Sequence, residues 1–191
     1  MIRFHITLVI CVLAATLAVP GMASKPTASS APKVKLETSA GAVVVELYPD
    51  KAPLTVKNYL EYVEAKHFDG LIFHRVIGGF MIQGGGFTPD FKPRQVRAPI
   101  QLEAKRGLSN QRGTLAMART SQPNSATSQF FINLVDNAQL DAYGGGYAVF
   151  GKVVQGMEVV DAIAKVETRP QHGHRDAPVK PVVIKSARVI K

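Results

Sequence analysis

An arginine and a glutamine, Arg75 and Gln83, stand within the apolar, glycine-punctuated run from Phe73 to Gly86. A strand pair this rich in aromatic, branched and thioether side chains buries one face. A cation and an amide set among such neighbours therefore imply an apolar, concave binding surface rather than plain core. A guanidinium stays charged and donates N–H bonds without ever removing a proton.

The register of this hairpin follows from the same chemistry. A two-residue turn at Gly78-Gly79 would set Arg75 opposite Ile82 and send Gln83 to the other face. A three-residue loop, Gly78 to Phe80, pairs Ile77 with Met81 and Arg75 with Gln83, and leaves His74, Val76 and Ile82 on the reverse. The second register keeps the polar pair together and is the one expected. In Ser128 to Asn133, alternation puts Gln129 and Phe131 on one face and Phe130 and Ile132 on the other. Two separate strands thus each present a glutamine beside an aromatic or thioether.

Other candidates carry less. His74 reads as an interior histidine with its hydrogen bonds satisfied. His172, His174 and Asp176 could in principle ligate a metal, but the intervening Gly173, the adjacent Arg175 and the lack of a fourth ligand favour a solvated loop, and no metal is expected. Neither Gly84–Gly86 nor Gly144–Gly146 is followed by the Lys-Ser/Thr of a phosphate loop, and no Gly-x-Ser-x-Gly elbow occurs.

The elements that must position these residues are short. Pro53 suits a first helical position, and Leu54, Val56, Tyr59, Leu60 and Val63 recur at helical spacing to about His67. A second helix is expected from Met157 to about Val166. Strands are expected at Val34–Leu36 and Val43–Leu47 around an Ala40-Gly41 turn, then at Leu71–Ile77, Met81–Gly84, Gly113–Ala118, Gln129–Leu134, Ala148–Val154 and Pro181–Val189. Many short strands with two isolated helices indicate a sandwich or a closed barrel, not a βαβ sheet.

Met1 to Ala23 has the form of a secretory signal: Arg3, then a nearly continuous apolar run from Ile6 to Val19, then Gly21-Met22-Ala23. That run is shorter than the roughly 18 to 20 residues a spanning helix needs. No membrane association is expected after cleavage. Residues 24–32 lack large apolar side chains and read as a disordered linker, leaving one domain over 33–191. The one cysteine, Cys11, lies in the signal, so the mature chain has no thiol chemistry and no disulfide. Removing the signal leaves 22 basic against 14 acidic residues, a net charge of +8 spread without clusters, which argues against nucleic acid as a partner.

Four runs in this order, Phe73–Gly86, Gly113–Arg119, Ser128–Asn133 and Phe150–Val153, resemble the cyclophilin family of peptidyl-prolyl cis-trans isomerases, and with the signal and Met117-Ala118-Arg119-Thr120 most resemble its bacterial periplasmic members. The resemblance covers about Val34 to Val189. It implies a mainly β fold, a closed eight-stranded antiparallel barrel capped by two helices. It further implies Arg75 as the catalytic residue, with Phe80, Met81, Gln83, Ala118, Arg119, Gln129, Phe131, Leu140 and Tyr147 as substrate-binding positions and no cofactor. Arg119 and Tyr147 stand where many eukaryotic members carry asparagine and histidine. Gln139 stands where they often carry a tryptophan that contacts cyclosporin, so weak cyclosporin binding is expected. The implied partners are proline-containing, unfolded or partly folded exported polypeptides met by a monomer in the periplasm, or outside the cell if the source is not Gram-negative. The competing reading is a proline-binding chaperone or docking module without catalysis.

Overall fold

The computed structural model describes residues 31–104 and 106–191, so the expected signal, and the expected linker up to residue 30, lie outside the described residues. Eight antiparallel strands close into a barrel: β1 (Lys33–Thr38), β2 (Gly41–Leu47), β3 (Ile72–Ile77), β4 (Met81–Gly84), β5 (Thr114–Met117), β6 (Phe130–Asn133), β7 (Val149–Gln155) and, last in the chain, β10 (Val182–Ile190). Around the barrel the order is β1-β10-β3-β4-β6-β5-β7-β2. Closure leaves no unpaired barrel edge. Of the two architectures open on residue patterning, the barrel is therefore the one formed.

Alternation fills the interior. Leu36, Val45, Ile82, Leu115, Phe130, Ile132 and Phe150 point inward into one apolar cluster, and the helices α1 (Pro53–Glu64) and α2 (Met157–Ile163) add Tyr59, Tyr62, Val160 and Ile163 to it. The Tyr59 ring lies 5.1 to 5.5 Å from those of Phe68, Phe130 and Phe150. Rings at such separations contribute beyond their buried area.

Helix α1 stops before His67 because a Schellman motif ends it. Lys66 takes the left-handed conformation (φ 53°), its N–H donates to Val63 O, and the His67 N–H donates to Tyr62 O, while the His67 and Tyr62 rings meet at 4.5 Å. Helix α2 ends earlier than Val166 because its last turn tightens: Lys165 and Val166 donate to Ala162 and Ile163, three residues back.

Two expectations are corrected. The segment around His172 and His174 is not a solvated loop: β8 (Thr168–Gln171) and β9 (His174–Pro178) form a separate two-stranded hairpin, turned by His172 and Gly173 at φ 50° and 81°. Both central residues at positive φ make the tight turn that matches strand twist. The second correction concerns His74. A register shift between Phe73 and Arg75 makes His74 an extra residue, so Phe73 and Val76 both enter the core and His74 turns outward under the β8–β9 hairpin. It is 2 % exposed, yet its Nδ1 has no hydrogen-bond partner, so it is buried but not satisfied.

Candidate active site

The β3–β4 hairpin has the three-residue loop. Arg75 faces Gln83 and Ile77 faces Met81, and the Phe80 N–H donates to Ile77 O at 3.0 Å across Gly79, which sits at φ 73°. Pairing then carries one row across the barrel's outer face: Gln83 opposite Phe131, Phe131 opposite Ala116, and Ala116 opposite Val149. Arg75, Gln83, Phe131, Ala116 and Val149 thus stand side by side on five strands, on the face away from the core. Met81, Phe131 and Leu140 join Ala116 and Val149 in a second apolar cluster, against which Phe80, Ala118 and Tyr147 pack.

This outer cluster opens into a cavity of about 110 Å³ lined by Arg75, Phe80, Met81, Gln83, Ala118, Arg119, Phe131, Leu140 and Tyr147. Nine of the ten sequence-predicted site residues therefore meet around one hollow. The tenth, Gln129, lines a neighbouring cavity of about 210 Å³ with Gln83, Ala118, Arg119, Thr120, Ser125 and Thr127. The two are joined where Gln83 Nε2 donates to Gln129 Oε1 at 2.9 Å. A Cβ at position 86 would lie 2.7 Å from the Gln129 amide, so glycine there leaves Gln129 room to meet Gln83.

The two arginines differ in what they hold. Arg119 donates through Nε and Nη2 to Gly146 O, through Nη1 to Thr120 O, and through Nη2 to Tyr143 and Gly144 O, at 2.8 to 3.1 Å. Its guanidinium also lies 4.5 Å from the Tyr147 ring centre, and that ring meets Phe131 edge-on at 5.6 Å. Arg119 therefore braces the Tyr147 wall, although it lines both cavities. Arg75, by contrast, is 42 % exposed along its side chain and sets Nε 3.6 Å from Asp176 Oδ2.

Sequence reasoning missed a polar network behind the groove. Asn110 donates its backbone and side-chain N–H to Asp141 Oδ1, Asn133 donates to Thr114 Oγ1 at 2.9 Å, and Asn137 donates to Asn133 Oδ1 and to Phe80 O at 2.8 and 2.9 Å. These bonds tie the Phe80 loop and the Leu140 turn to the barrel. Burial acts to raise the pKa of Asp141, but the hydrogen bonds from Ser109 and Asn110 outweigh it and hold the carboxyl below its ordinary range. Beneath Arg75, burial first, then the charges of His174 and Arg75, push His74 down to about 3.

A closed barrel thus bears on its outer face a small apolar hollow, edged by Arg75, Arg119 and the amide of Gln83. Residues 33–189 match the family model described as cyclophilin type peptidyl-prolyl cis-trans isomerase. The chain is 57% identical over 162 residues to a peptidyl-prolyl cis-trans isomerase of Streptomyces antibioticus, covering 82% of this chain and 98% of the relative. It is 50% identical over 186 residues to peptidyl-prolyl cis-trans isomerase A of Dickeya dadantii, covering 96% and 95%. Among solved structures, a Cryptosporidium parvum cyclophilin crystallised in the presence of the dipeptide Ala-Pro superposes with a TM-score of 0.72 at 28% identity, covering 83% of this chain and 99% of that one. The chain belongs to the cyclophilin-type peptidyl-prolyl cis-trans isomerase family.

Proposed function

We propose that Arg75 is the catalytic donor of this isomerase and that the smaller cavity holds the substrate's proline ring. The observation that carries the reading is the cross-strand row, which sets Arg75 and Gln83 beside Phe131 at the edge of an apolar hollow. The Ala-Pro dipeptide present with the relative supports an occupant of that size.

Rotation about an Xaa-Pro bond faces a barrier of about 18 to 20 kcal/mol because amide resonance must be broken. In the twisted transition state the prolyl nitrogen regains its lone pair. A donor aimed at it binds that state better than either planar isomer, as catalysis requires. Moving from tens of seconds to milliseconds needs about 6 to 7 kcal/mol. One charge-assisted hydrogen bond contributes about 1.5 to 3 kcal/mol, so the larger share falls to preorganisation. Phe80, Met81, Phe131 and Leu140 grip the ring, while Gln83, steadied by Gln129, takes the adjoining backbone, and residues flanking the proline extend toward the second cavity. Replacing Arg75 with alanine and following exchange of an Xaa-Pro peptide by NMR tests the assignment; a near-normal rate in the folded variant overturns it.

The leader-like amino terminus supports exported polypeptides as substrates, with folding assistance in the periplasm as the role; fractionation of cells making the full chain tests this. Among the described residues, the larger exposed apolar side chains, Leu54, Val96, Val135, Tyr143, Val154 and Val189, form no strand-length stripe in sequence, which supports a monomer. Gln139, exposed at the groove's margin, supports weak cyclosporin binding, and a nanomolar Kd by calorimetry would contradict it.

A further inference from the structure

The β8–β9 hairpin lies outside the barrel, and nothing in barrel closure requires it. It is nonetheless pinned to β3 and the segment after β4 by rings: His174 meets His74 at 5.2 Å and Phe87 at 4.8 Å, and His172 stacks on Phe91 at 4.7 Å. Its base is closed by the Val179 N–H on Glu167 O at 2.8 Å and by Gln171 Nε2 on Pro178 O at 2.7 Å. So anchored, β9 brings the carboxylate of Asp176 to Arg75, a residue 101 positions away in the chain, through Nε at 3.6 Å.

We infer that Asp176 is a positioning residue for isomerisation: it holds the guanidinium plane of Arg75 against the groove by its Nε edge and leaves both terminal amino groups for the substrate. This rests on the assignment of Arg75 as the catalytic donor. The physical case concerns mobility. Arg75 reaches the cavity on a flexible three-methylene stem and is 42 % exposed, whereas Arg119 is fastened by four carbonyls. A donor free to swing loses the preorganisation that supplies most of the rate. A carboxylate ion-paired to the Nε edge at 3.6 Å draws the stem and the plane toward β9 together. Because Asp176 is itself 38 % exposed, the restraint is modest.

Asp176→Asn keeps the shape and removes the charge. The expected result is a kcat lower by about two- to fivefold with KM unchanged, because what weakens is the bond from Arg75 to the twisted amide, which is made only in the transition state. Asp176→Glu restores part of the rate. In an Arg75→Ala background Asp176→Asn causes no further loss, which a merely structural role would not produce. The 15N resonance of Arg75 Nε shifts toward that of a free arginine in Asp176→Asn, while the backbone amide signals of β8 and β9 stay in place. A wild-type kcat in Asp176→Asn, or an equal loss in the Arg75→Ala background, overturns the inference and leaves Arg75 as the donor. A near-normal rate in Arg75→Ala alone removes both.

Discussion

On one side of the groove Arg119 gives its N–H bonds to the carbonyls of Thr120, Tyr143, Gly144 and Gly146 and lies on the Tyr147 ring; on the other, Arg75 meets Asp176 by one edge at 3.6 Å. The same side chain lines the same cavity twice with opposite commitments. A guanidinium whose donors end on protein carbonyls shapes a wall, and one whose terminal donors lie at the edge of a hollow is available to a substrate.

The largest effect that can break this contrast comes from Arg75→Ala. The expected outcome is at least about a tenfold loss of kcat/KM, equal to one charge-assisted hydrogen bond, with the urea midpoint unchanged. Arg119→Ala should give the reverse pattern. Four carbonyls return to water and the Tyr147 wall loosens, so stability falls by about 1 to 2 kcal/mol in urea unfolding, and KM rises while kcat changes little. Equal rate losses in the two variants would erase the distinction.

Acid sharpens the contrast, because two histidines of lowered pKa, His74 and His174, lie on the Arg75 side. His74 is pushed down to about 3 by burial and by the charges of His174 and Arg75; His174 is also lowered, by burial and then by His172 and Arg75. Between pH 3 and the ordinary value near 6.5, the unfolded chain binds a proton on His74 that the folded chain refuses. Stability is therefore whole above about pH 6.5 and declines as pH falls toward 3, by at most about 1.4 kcal/mol per pH unit for this group. His74→Phe should flatten the decline measured by urea unfolding between about pH 7 and pH 4.5; an unaltered slope would assign it to other groups. The smallest effect is expected at Tyr143, whose side chain is 70 % exposed and whose carbonyl, not its ring, takes Arg119. Tyr143→Ala should shift stability by no more than about 0.5 kcal/mol, as a thermal scan would report.

The hairpin that carries Arg75 was legible in the sequence because keeping its polar pair on one face selects the three-residue loop over the two-residue turn, and the Gly78–Phe80 loop and the Arg75–Gln83 pairing are as expected. Phe131 and Met81 followed from alternation. Ala118, Leu140 and Tyr147 did not: they enter from loops and strand ends, and the family resemblance, not periodicity, supplied them. The position of His74 was hidden because a bulge breaks the two-residue period without a marker in the sequence. The β8–β9 hairpin was hidden because Thr168, Arg169 and Pro170 are all exposed, so no apolar alternation announces it. The network of Asn110, Thr114, Asn133, Asn137 and Asp141 joins polar residues up to 31 positions apart, a separation at which side-chain pairing leaves no local pattern.

The barrel is shut by β10, which pairs Ile190 with Lys33 and so joins the last strand of the chain to the first. The row from Arg75 to Val149 is complete in sequence some forty residues earlier, yet β3, which bears Arg75, has β10 as its other neighbour. During synthesis the groove's components emerge well before the strand that fixes them, and pairing of such distant segments is intrinsically late. In refolding, recovery of isomerase activity is therefore expected to follow the docking of the nine-residue strand β10.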